Sequence, residues 1–246
     1  MDRLIERLRR ARRVTVLTGA GVSAASGIPT FRGAAGFWKQ FRPEQLATRA
    51  AFDRDPALVW EWYDWRRRLI AQAQPNAAHH VLTAWASRFA MFTLITQNVD
   101  GLHERAGNLG VVSYHGSIWR LRCSTPCAAG ARDWDDLRAP LPELPPRCPH
   151  CGAPARPGVV WFGEAIPHQA QAAASDATSC DVFLTAGTSS VVYPAASLVH
   201  EAARRGAFTA EINVEATGAS TSVDVALEAR AEEALPAIDR ALSAPS

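Results

Sequence analysis

The sequence predicts an α/β protein with a mostly parallel sheet that is covered by helices on both faces. Three observations lead to this fold class: short runs that are apolar on both faces, helical stretches between several of them, and a Pro- and Gly-rich stretch at 140–158 that indicates an insert. The predicted strands span residues 14–18, 92–96, 111–114, 159–162, 182–186, 208–212 and 223–227. Because ligands of such sheets bind at the carboxyl ends of the strands, we expect functional residues directly after each run.

Length and charge narrow the class of protein. The chain has 246 residues, 48% of them hydrophobic, and a formal net charge of +2, which suits one large domain with or without a small insert. The near-neutral charge argues against a nucleic-acid binder, and no run reaches the ~18 apolar residues of a membrane span. The N-terminal arginines are interrupted by Asp2 and Glu6 and precede no apolar signal region, which predicts a cytoplasmic protein. Small molecules or soluble proteins are the expected partners, and a monomer is favoured although no feature fixes the oligomeric state.

The first predicted strand runs directly into a glycine-rich stretch at 19–33. Gly19 and Gly21 lack a Cβ, which allows a tight turn and close approach of the backbone to a ligand. A helix expected to begin near Ser23 would point free N–H groups at a pyrophosphate. Structural turns also match this pattern, and no acidic residue follows about twenty positions later to bind a ribose. From this stretch alone, a dinucleotide site and a structural turn are both open.

The clearest helix signal lies at 55–72. Asp55 suits the N-cap and Pro56 suits the first turn, and a helical pattern continues to Gln72. Pro75 and Asn76 then end the helix.

Four cysteines have the spacing of a metal site. Cys123 and Cys127 form one short pair, and Cys148 and Cys151 form a second pair after twenty intervening residues. In a chain without a secretory signal, this spacing favours one tetrahedral zinc ion over disulfides. Four thiolates close the coordination shell, so the predicted zinc is structural and not catalytic. Cys180 is left over, and a lone cysteine before a buried strand is typical of core packing.

Polar residues follow two successive predicted strands. Gln97, Asn98 and Asp100 come after the strand at 92–96, and His115 comes after the strand at 111–114. The amides and the carboxylate fit either an Asx-capped turn or an array that orients a carboxamide and a ribose. His115 is the candidate general base, because an imidazole titrates near neutral pH and Gly116 leaves its neighbourhood open.

Together these motifs resemble the sirtuins, NAD-dependent protein lysine deacylases. The resemblance covers nearly the whole chain and rests on six motifs in the family's order: the stretch 19–33, the stretch 96–103, His115-Gly116, the four cysteines, the stretch 187–189, and Ile212-Asn213. It implies a large Rossmann-like NAD domain with a small zinc-binding domain, whose zinc-binding insert spans about 119–157 and whose helical part spans about 34–78. It also implies that acyl-lysine peptide enters the cleft between the two.

The resemblance implies a reaction and a set of site residues. The acyl oxygen attacks the C1′ of the nicotinamide ribose, nicotinamide leaves, and His115 deprotonates a ribose hydroxyl; the products are free lysine and O-acyl-ADP-ribose, which makes the enzyme a transferase. The backbone at Val160, Trp161, Phe162 and Gly163 would pair with substrate peptide as an added strand. The implied cofactor-binding residues are Gly19, Ala20, Gly21, Ser23, Thr30, Phe31, Arg32, Trp38, Gln97, Asn98, Asp100, Gly187, Thr188, Ser189, Asn213 and Ala231.

Two positions of the predicted helix bear on the choice of acyl group. Tyr63 and Arg66 are three residues apart and share one face, where a phenol and a guanidinium can bind a carboxylate. Composition alone favours a core Tyr63 and a solvated arginine run at 66–68. With Ala47, however, the pair resembles the class III sirtuins, which act on succinyl, malonyl or glutaryl lysine, and Thr30 stands where many deacetylases carry Asp. We therefore predict desuccinylation and demalonylation, with weaker deacetylation retained.

Other classes of function are also considered. A general deacetylase, a mono-ADP-ribosyltransferase and a noncatalytic NAD sensor would all use the same scaffold, and intact His115, Asn98 and Asp100 argue against the sensor. A zinc-ribbon nucleic-acid binder would need a basic patch with aromatic residues near the cysteines, but acidic residues offset Arg120 and Arg122 there.

Overall fold

The computed structural model describes residues 1–30, 41–127 and 133–244. The α-helices are α1 Asp2–Arg10, α2 Ala20–Ala24, α3 Pro43–Leu46, α4 Arg49–Arg54, α5 Pro56–Gln72, α6 Ala77–Arg88, α7 Leu102–Arg105, α8 His168–Ala177, α9 Leu198–Arg204 and α10 Ala231–Ser243, and a 3₁₀ turn spans Ala195–Ser197. The strands are β1 Arg13–Thr18, β2 Met91–Thr96, β3 Val111–Ser113, β4 Gly116–Cys123, β5 Trp134–Asp135, β6 Ala155–Val159, β7 Val182–Ala186, β8 Phe208–Asn213 and β9 Val225–Glu228. No helix in the described ranges is long and apolar enough to cross a membrane.

The larger sheet is parallel throughout and has six strands in the order β3-β2-β1-β7-β8-β9. Six of the seven predicted strands form this sheet, so the predicted α/β class is confirmed. Chain order reverses between β1 and β7, which brings the ends of β1, β2 and β7 together at one edge.

Two features of the smaller, antiparallel sheet differ from the prediction. This sheet has the order β5-β4-β6. The strand predicted at 159–162 is wrong in its bounds: β6 ends at Val159, and the next residues leave the strand to make contacts with other elements. Strand β4 was not predicted, because only Ile118 and Leu121 of its eight residues are buried, so that it lacks a continuous apolar run.

Two apolar cores cover the larger sheet. On one face, α1, α6 and α10 pack against the sheet through residues such as Leu8, Trp85 and Leu235. On the other face, α8 and α9 pack through residues such as Ala174 and Val199. Burial on both faces explains why these strands are apolar on both sides.

A third core joins α3, α4 and α5 to the smaller sheet. Trp60 and Tyr63 of α5 pack there with Ile118 of β4 and Trp161. Helix α5 has the predicted bounds, and Asp55 caps it by accepting the Leu58 N–H at 2.9 Å. The division of the chain into domains at about 34–78 and 119–157 stays a prediction.

Helix α2 begins earlier than expected. The sequence predicted a start near Ser23, but the helix begins at Ala20, with Gly19 as its N-cap. The extended conformation of Gly19 ends β1 and allows the helix to start at once. Ser23 therefore points inward from the last turn of a short helix and is fully buried.

Candidate active site

The glycine turn after β1 packs directly against the turn after β7. The Gly19 N–H donates to the Ala186 carbonyl at 3.1 Å, and the Gly21 N–H donates to the Gly187 carbonyl at 2.8 Å. A Cβ added to Gly21 would lie 2.8 Å from the Gly187 Cα, and one added to Gly187 would lie 2.5 Å from the Val22 nitrogen. These glycines therefore serve close packing of two turns, a role that the sequence interpretation did not include.

A buried hydrogen-bond network connects this turn to the end of β2. The Ser23 hydroxyl donates to Asp100 Oδ2 at 2.8 Å. Asn98 Nδ2 donates to the Gly19 carbonyl at 3.0 Å and to Ser23 Oγ at 3.1 Å. All three side chains are buried. The structure thus brings together three of the predicted cofactor-binding side chains and fixes each by hydrogen bonds.

Asp100 is held from several directions. The Leu102 N–H donates to Asp100 Oδ1 at 2.9 Å, and the Trp119 indole donates to the Asp100 carbonyl at 2.7 Å. Burial raises the pKa of the Asp100 carboxyl, whereas the hydrogen bonds from the Leu102 N–H and the Ser23 hydroxyl and the positive charge of Arg66 oppose the rise. The carboxylate is therefore oriented before any ligand arrives.

His115 is oriented by the backbone of a neighbouring strand end. Its Nδ1 lies 3.1 Å from the Gln97 carbonyl. Because a carbonyl can only accept, Nδ1 carries the hydrogen and Nε2 keeps a free electron pair. Burial lowers the pKa of His115, and the Gln97 carbonyl opposes that shift. The imidazole is thus neutral at pH 7, and its Nε2 has the chemistry of a general base.

A second set of predicted cofactor residues meets at the turn after β7. Gln97 Nε2 donates to Thr188 Oγ1 at 2.8 Å, and Asn213 Nδ2 donates to the Thr188 carbonyl at 3.4 Å. Ser189 follows and is half-buried, while Ala231 starts α10 and is buried. The ends of β2, β7 and β8 are thereby joined through Thr188.

Some predicted cofactor residues lie outside the described part of the chain. These are Phe31, Arg32 and Trp38. Thr30 is the last residue described before that gap and is half-buried, and Ala20 is half-buried at the start of α2.

Two buried histidines without a predicted role, His79 and His103, lie next to this network. The rings of His79 and His103 are 4.7 Å apart and both are buried. His103 Nε2 lies 3.0 Å from Thr18 Oγ1, and His79 Nε2 lies 3.5 Å from Ser23 Oγ. Burial lowers the pKa of His79 to about 4 and that of His103 to about 3, so both are neutral at pH 7. The only sequence signal was the position of His103 in the stretch 96–103.

The predicted substrate residues lie in the third core. Trp161 Nε1 donates to the Tyr63 hydroxyl at 2.9 Å, and both side chains are buried. Burial raises the pKa of Tyr63 to about 12, although the charge of Arg66 opposes the rise. Ala47 is buried in the same core. Arg66 places its guanidinium carbon 5.2 Å from the centre of the Trp62 ring.

The segment 160–164 links His115 to this core. The Val160 N–H donates to the His115 carbonyl at 2.9 Å, and the Phe162 N–H donates to the Ala47 carbonyl at 2.9 Å. The Trp161 N–H donates to Glu164 Oε2 at 2.9 Å. The Glu164 N–H also donates to the Trp161 carbonyl, at 2.9 Å. Four backbone donors of the segment are therefore paired within the chain, so a peptide added as a strand must use its other backbone groups.

The arginines at 66–68 do not form a solvated run. Arg67 is fully buried, forms an ion pair with Asp136 at 3.1 Å, and donates to the Ile118 carbonyl at 3.0 Å. Arg68 is half-exposed and pairs with Asp64 at 3.2 Å. Arg67 thereby fixes α5 to the smaller sheet, a contact for which the sequence offered no signal.

The four cysteine sulfurs form one cluster. All four lie within 4.8 Å of one another, and the sulfurs of Cys123 and Cys151 are 3.5 Å apart. A zinc ion with Zn–S bonds of ~2.3 Å places its sulfurs ~3.8 Å apart, so Cys123, Cys127, Cys148 and Cys151 fit a structural zinc site. Cys180 lies apart from them, buried before β7, as predicted.

Comparison with known proteins identifies the family. The profile of the Sir2 family matches residues 19–194, which include the turn after β1, the end of β2, His115 and the four cysteines. The chain belongs to the Sir2 family. A protein of Aquifex aeolicus (strain VF5) named NAD-dependent protein deacylase is 50% identical over 223 residues, covering 90% of this chain and 92% of that protein. NAD-dependent protein deacylase 1 of Pseudomonas aeruginosa is 46% identical and covers 98% of both chains.

Solved structures agree with this assignment. A Sir2 homolog in complex with NAD superposes with a TM-score of 0.93 at 41% identity, covering 99% of this chain and 94% of that one. A Sir2 protein with p53 peptide and NAD⁺ superposes with a TM-score of 0.86 at 28% identity, covering 98% and 97%. These comparisons confirm the predicted family and Rossmann-like fold, and the cluster of four cysteine sulfurs fits the predicted structural zinc.

Proposed function

We propose that the protein is an NAD-dependent protein lysine deacylase that prefers acidic acyl groups. The coarser part, NAD-dependent deacylation, has the support of relatives with that name at 46–50% identity over most of the chain. The finer part, a preference for succinyl, malonyl or glutaryl lysine, is our inference from the acyl-facing residues. The single observation that carries it is a buried phenol and a guanidinium on one face of α5, with the small Ala47 buried in the same core as the phenol.

The cofactor residues fit NAD by their chemistry. Buried Ser23, Asn98 and Asp100 offer a hydroxyl, an amide and a carboxylate of the kind that bind a carboxamide and ribose hydroxyls. Gly187, Thr188 and Asn213 would lie against the other ribose. When bound, NAD supplies an electrophilic ribose carbon that receives the acyl oxygen as nicotinamide leaves. The hydrogen bonds among these residues orient the groups before binding, which lowers the entropic cost of the reactive geometry.

His115 is the proposed general base. With Nδ1 fixed to the Gln97 carbonyl, Nε2 is the nitrogen that can take a proton from a ribose hydroxyl. The hydrogen bond also stabilises the imidazolium that forms, because Nδ1–H donates more strongly when the ring is charged. The backbone of His115 holds Val160, so the base and the peptide-binding segment share one support.

The acyl preference follows from burial and charge. An acidic acyl group ends in a carboxylate, which gains strong hydrogen bonds from a guanidinium and a neutral phenol in a site with little water. Tyr63 keeps its hydrogen at neutral pH because burial raises its pKa to about 12. Acetyl lysine lacks the carboxylate and leaves both donors without that partner, which lowers its kcat/KM.

A panel of acyl peptides tests this function. Purified protein, zinc and NAD are incubated with one peptide carrying succinyl, malonyl, glutaryl or acetyl lysine, and O-acyl-ADP-ribose and free lysine are measured by mass spectrometry. We expect both products, with succinyl and malonyl peptides about 10-fold or more above acetyl in kcat/KM. Equal kcat/KM values for the succinyl and acetyl peptides would show that the protein is a general deacetylase without a preference for acidic acyl groups. ADP-ribose attached to protein would support a mono-ADP-ribosyltransferase. No product at all would support a noncatalytic NAD sensor.

A further inference from the structure

The hydroxyl of Tyr63 has a defined hydrogen-bond direction. Trp161 Nε1 lies 2.9 Å from the Tyr63 oxygen, and both side chains are buried. An indole N–H can only donate, so the Tyr63 oxygen accepts and its own hydrogen must point to another group. Within residues 1–30, 41–127 and 133–244, the Tyr63 hydroxyl donates no hydrogen bond. The phenol is therefore arranged as a donor.

Trp161 is itself firmly held. The guanidinium carbon of Arg156 lies 3.6 Å from the centre of the Trp161 ring. Glu164 Oε2 accepts both the Trp161 N–H at 2.9 Å and Arg156 Nη2 at 2.8 Å. The ion pair of buried Arg156 with half-buried Glu164 thus fixes the backbone and the ring of Trp161 together, which sets the direction of the indole N–H.

We propose that Trp161 is a positioning residue for acyl specificity: by donating to the Tyr63 oxygen, it turns the phenol hydrogen toward the acyl carboxylate that Arg66 attracts. The inference rests on the proposed preference for acidic acyl groups and assigns a side-chain role to a residue expected only to supply backbone pairing. Because an acetyl group has no carboxylate to receive the hydrogen, the effect of Trp161 is specific to acidic substrates. The pKa of Tyr63, about 12, keeps the hydrogen in place at neutral pH.

A double-mutant cycle tests the proposal. Wild type, Trp161→Phe, Tyr63→Phe and the double variant are assayed for kcat/KM on succinyl and acetyl forms of one peptide. We expect Tyr63→Phe to lower the succinyl-to-acetyl ratio about 10-fold and Trp161→Phe to lower it about 3- to 10-fold, the size of one hydrogen bond. The double variant should equal Tyr63→Phe alone, because without the phenol the indole has nothing to orient.

Trp60→Phe is the matched control. Trp60 is also fully buried, also lies beside Tyr63, and donates its indole N–H to the Ala155 carbonyl at 2.7 Å instead. This variant removes the same donor from the same core without touching the Tyr63 hydroxyl. We expect it to lower the melting temperature while leaving the succinyl-to-acetyl ratio unchanged.

The outcomes separate the two levels of the proposal. If Trp161→Phe keeps the wild-type ratio while Tyr63→Phe and Arg66→Met lower it, the role of Trp161 is overturned and the acyl preference stands. If Trp161→Phe lowers kcat/KM by the same factor on succinyl and acetyl peptides, and if this factor multiplies with that of Tyr63→Phe in the double variant, the role of Trp161 is purely structural. That result would also overturn the proposed positioning role. If the wild-type protein has no preference for the succinyl over the acetyl peptide, both the role of Trp161 and the proposed acyl preference are overturned. Should Trp161→Phe fail to fold, Glu164→Gln, which keeps the indole but weakens its support, must lower the ratio; an unchanged ratio contradicts the proposal.

Discussion

The two sides of the candidate site are built in different ways. The cofactor side, formed by residues 19–23, 97–100, 187–189 and 213, is held largely by backbone groups at the ends of parallel strands. On the acyl side, formed by Ala47, Tyr63, Arg66 and Trp161, the hydrogen bond that orients Tyr63 joins two side chains, one from helix α5 and one from the loop after β6. Backbone contacts at strand ends follow from the sheet itself, whereas side-chain contacts depend on individual residues.

Under the proposed function, this difference separates the residues that carry out the reaction from those that select the acyl group. His115 takes its orientation from the Gln97 carbonyl, which any residue at position 97 would supply. Tyr63 takes its orientation from the Trp161 indole, which no other residue type supplies in the same way. Substitutions on the cofactor side should therefore affect all acyl substrates alike, and substitutions on the acyl side should affect acidic ones.

His115→Ala gives the largest expected effect. Loss of a general base lowers kcat about 10²- to 10⁴-fold, and succinyl and acetyl peptides should lose the same factor because the base acts on the ribose. Steady-state kinetics on both peptides measure this, with circular dichroism to verify folding. A variant that retains most activity would remove His115 from this role, and a loss confined to one acyl group would break the distinction between the two sides.

Gly187→Ala tests the backbone packing of the cofactor side. The new Cβ would lie 2.5 Å from the Val22 nitrogen at a residue with φ of +60°, so we expect the free energy of unfolding to fall by about 2–4 kcal/mol. Gly27→Ala is the matched control, because its φ is +83° but, among the described residues other than its two chain neighbours, no atom lies within 4 Å of the added Cβ. We expect Gly27→Ala to lower the free energy of unfolding by about 1 kcal/mol. Chemical denaturation measures the free energy of unfolding of both variants. Equal losses of this free energy in Gly187→Ala and Gly27→Ala would contradict tight packing of the two turns.

Most of the cofactor side could be predicted from the sequence. Strands that are buried on both faces are continuous apolar runs, and polar residues directly after them lie at one edge of the sheet. The sequence therefore predicts that residues 97–100 and His115 lie close together. The contact of Gly21 with Gly187 could not be predicted, because it depends on the order of β1 and β7 in the sheet and not on local sequence.

The acyl side was less predictable. Helical spacing placed Tyr63 and Arg66 on one face, but it could not show that Trp161, 98 residues away, donates to Tyr63. Burial of Arg67 was also not predictable, because its partner Ile118 lies in strand β4, which lacks a continuous apolar run, and its partner Asp136 directly follows the short strand β5. Side-chain contacts between distant segments leave no periodic signal in the sequence.

The succinyl-to-acetyl ratio of kcat/KM in Arg66→Met tests the central claim most directly. Methionine keeps much of the apolar stem and removes the charge, so succinyl activity should fall about 10- to 100-fold while acetyl activity changes little. Arg68→Met, the same change on the same helix at a half-exposed residue, is the control and should keep the wild-type ratio. We predict a ratio near one or below for Arg66→Met. A ratio equal to that of wild type would contradict selection of the acyl group at Tyr63 and Arg66.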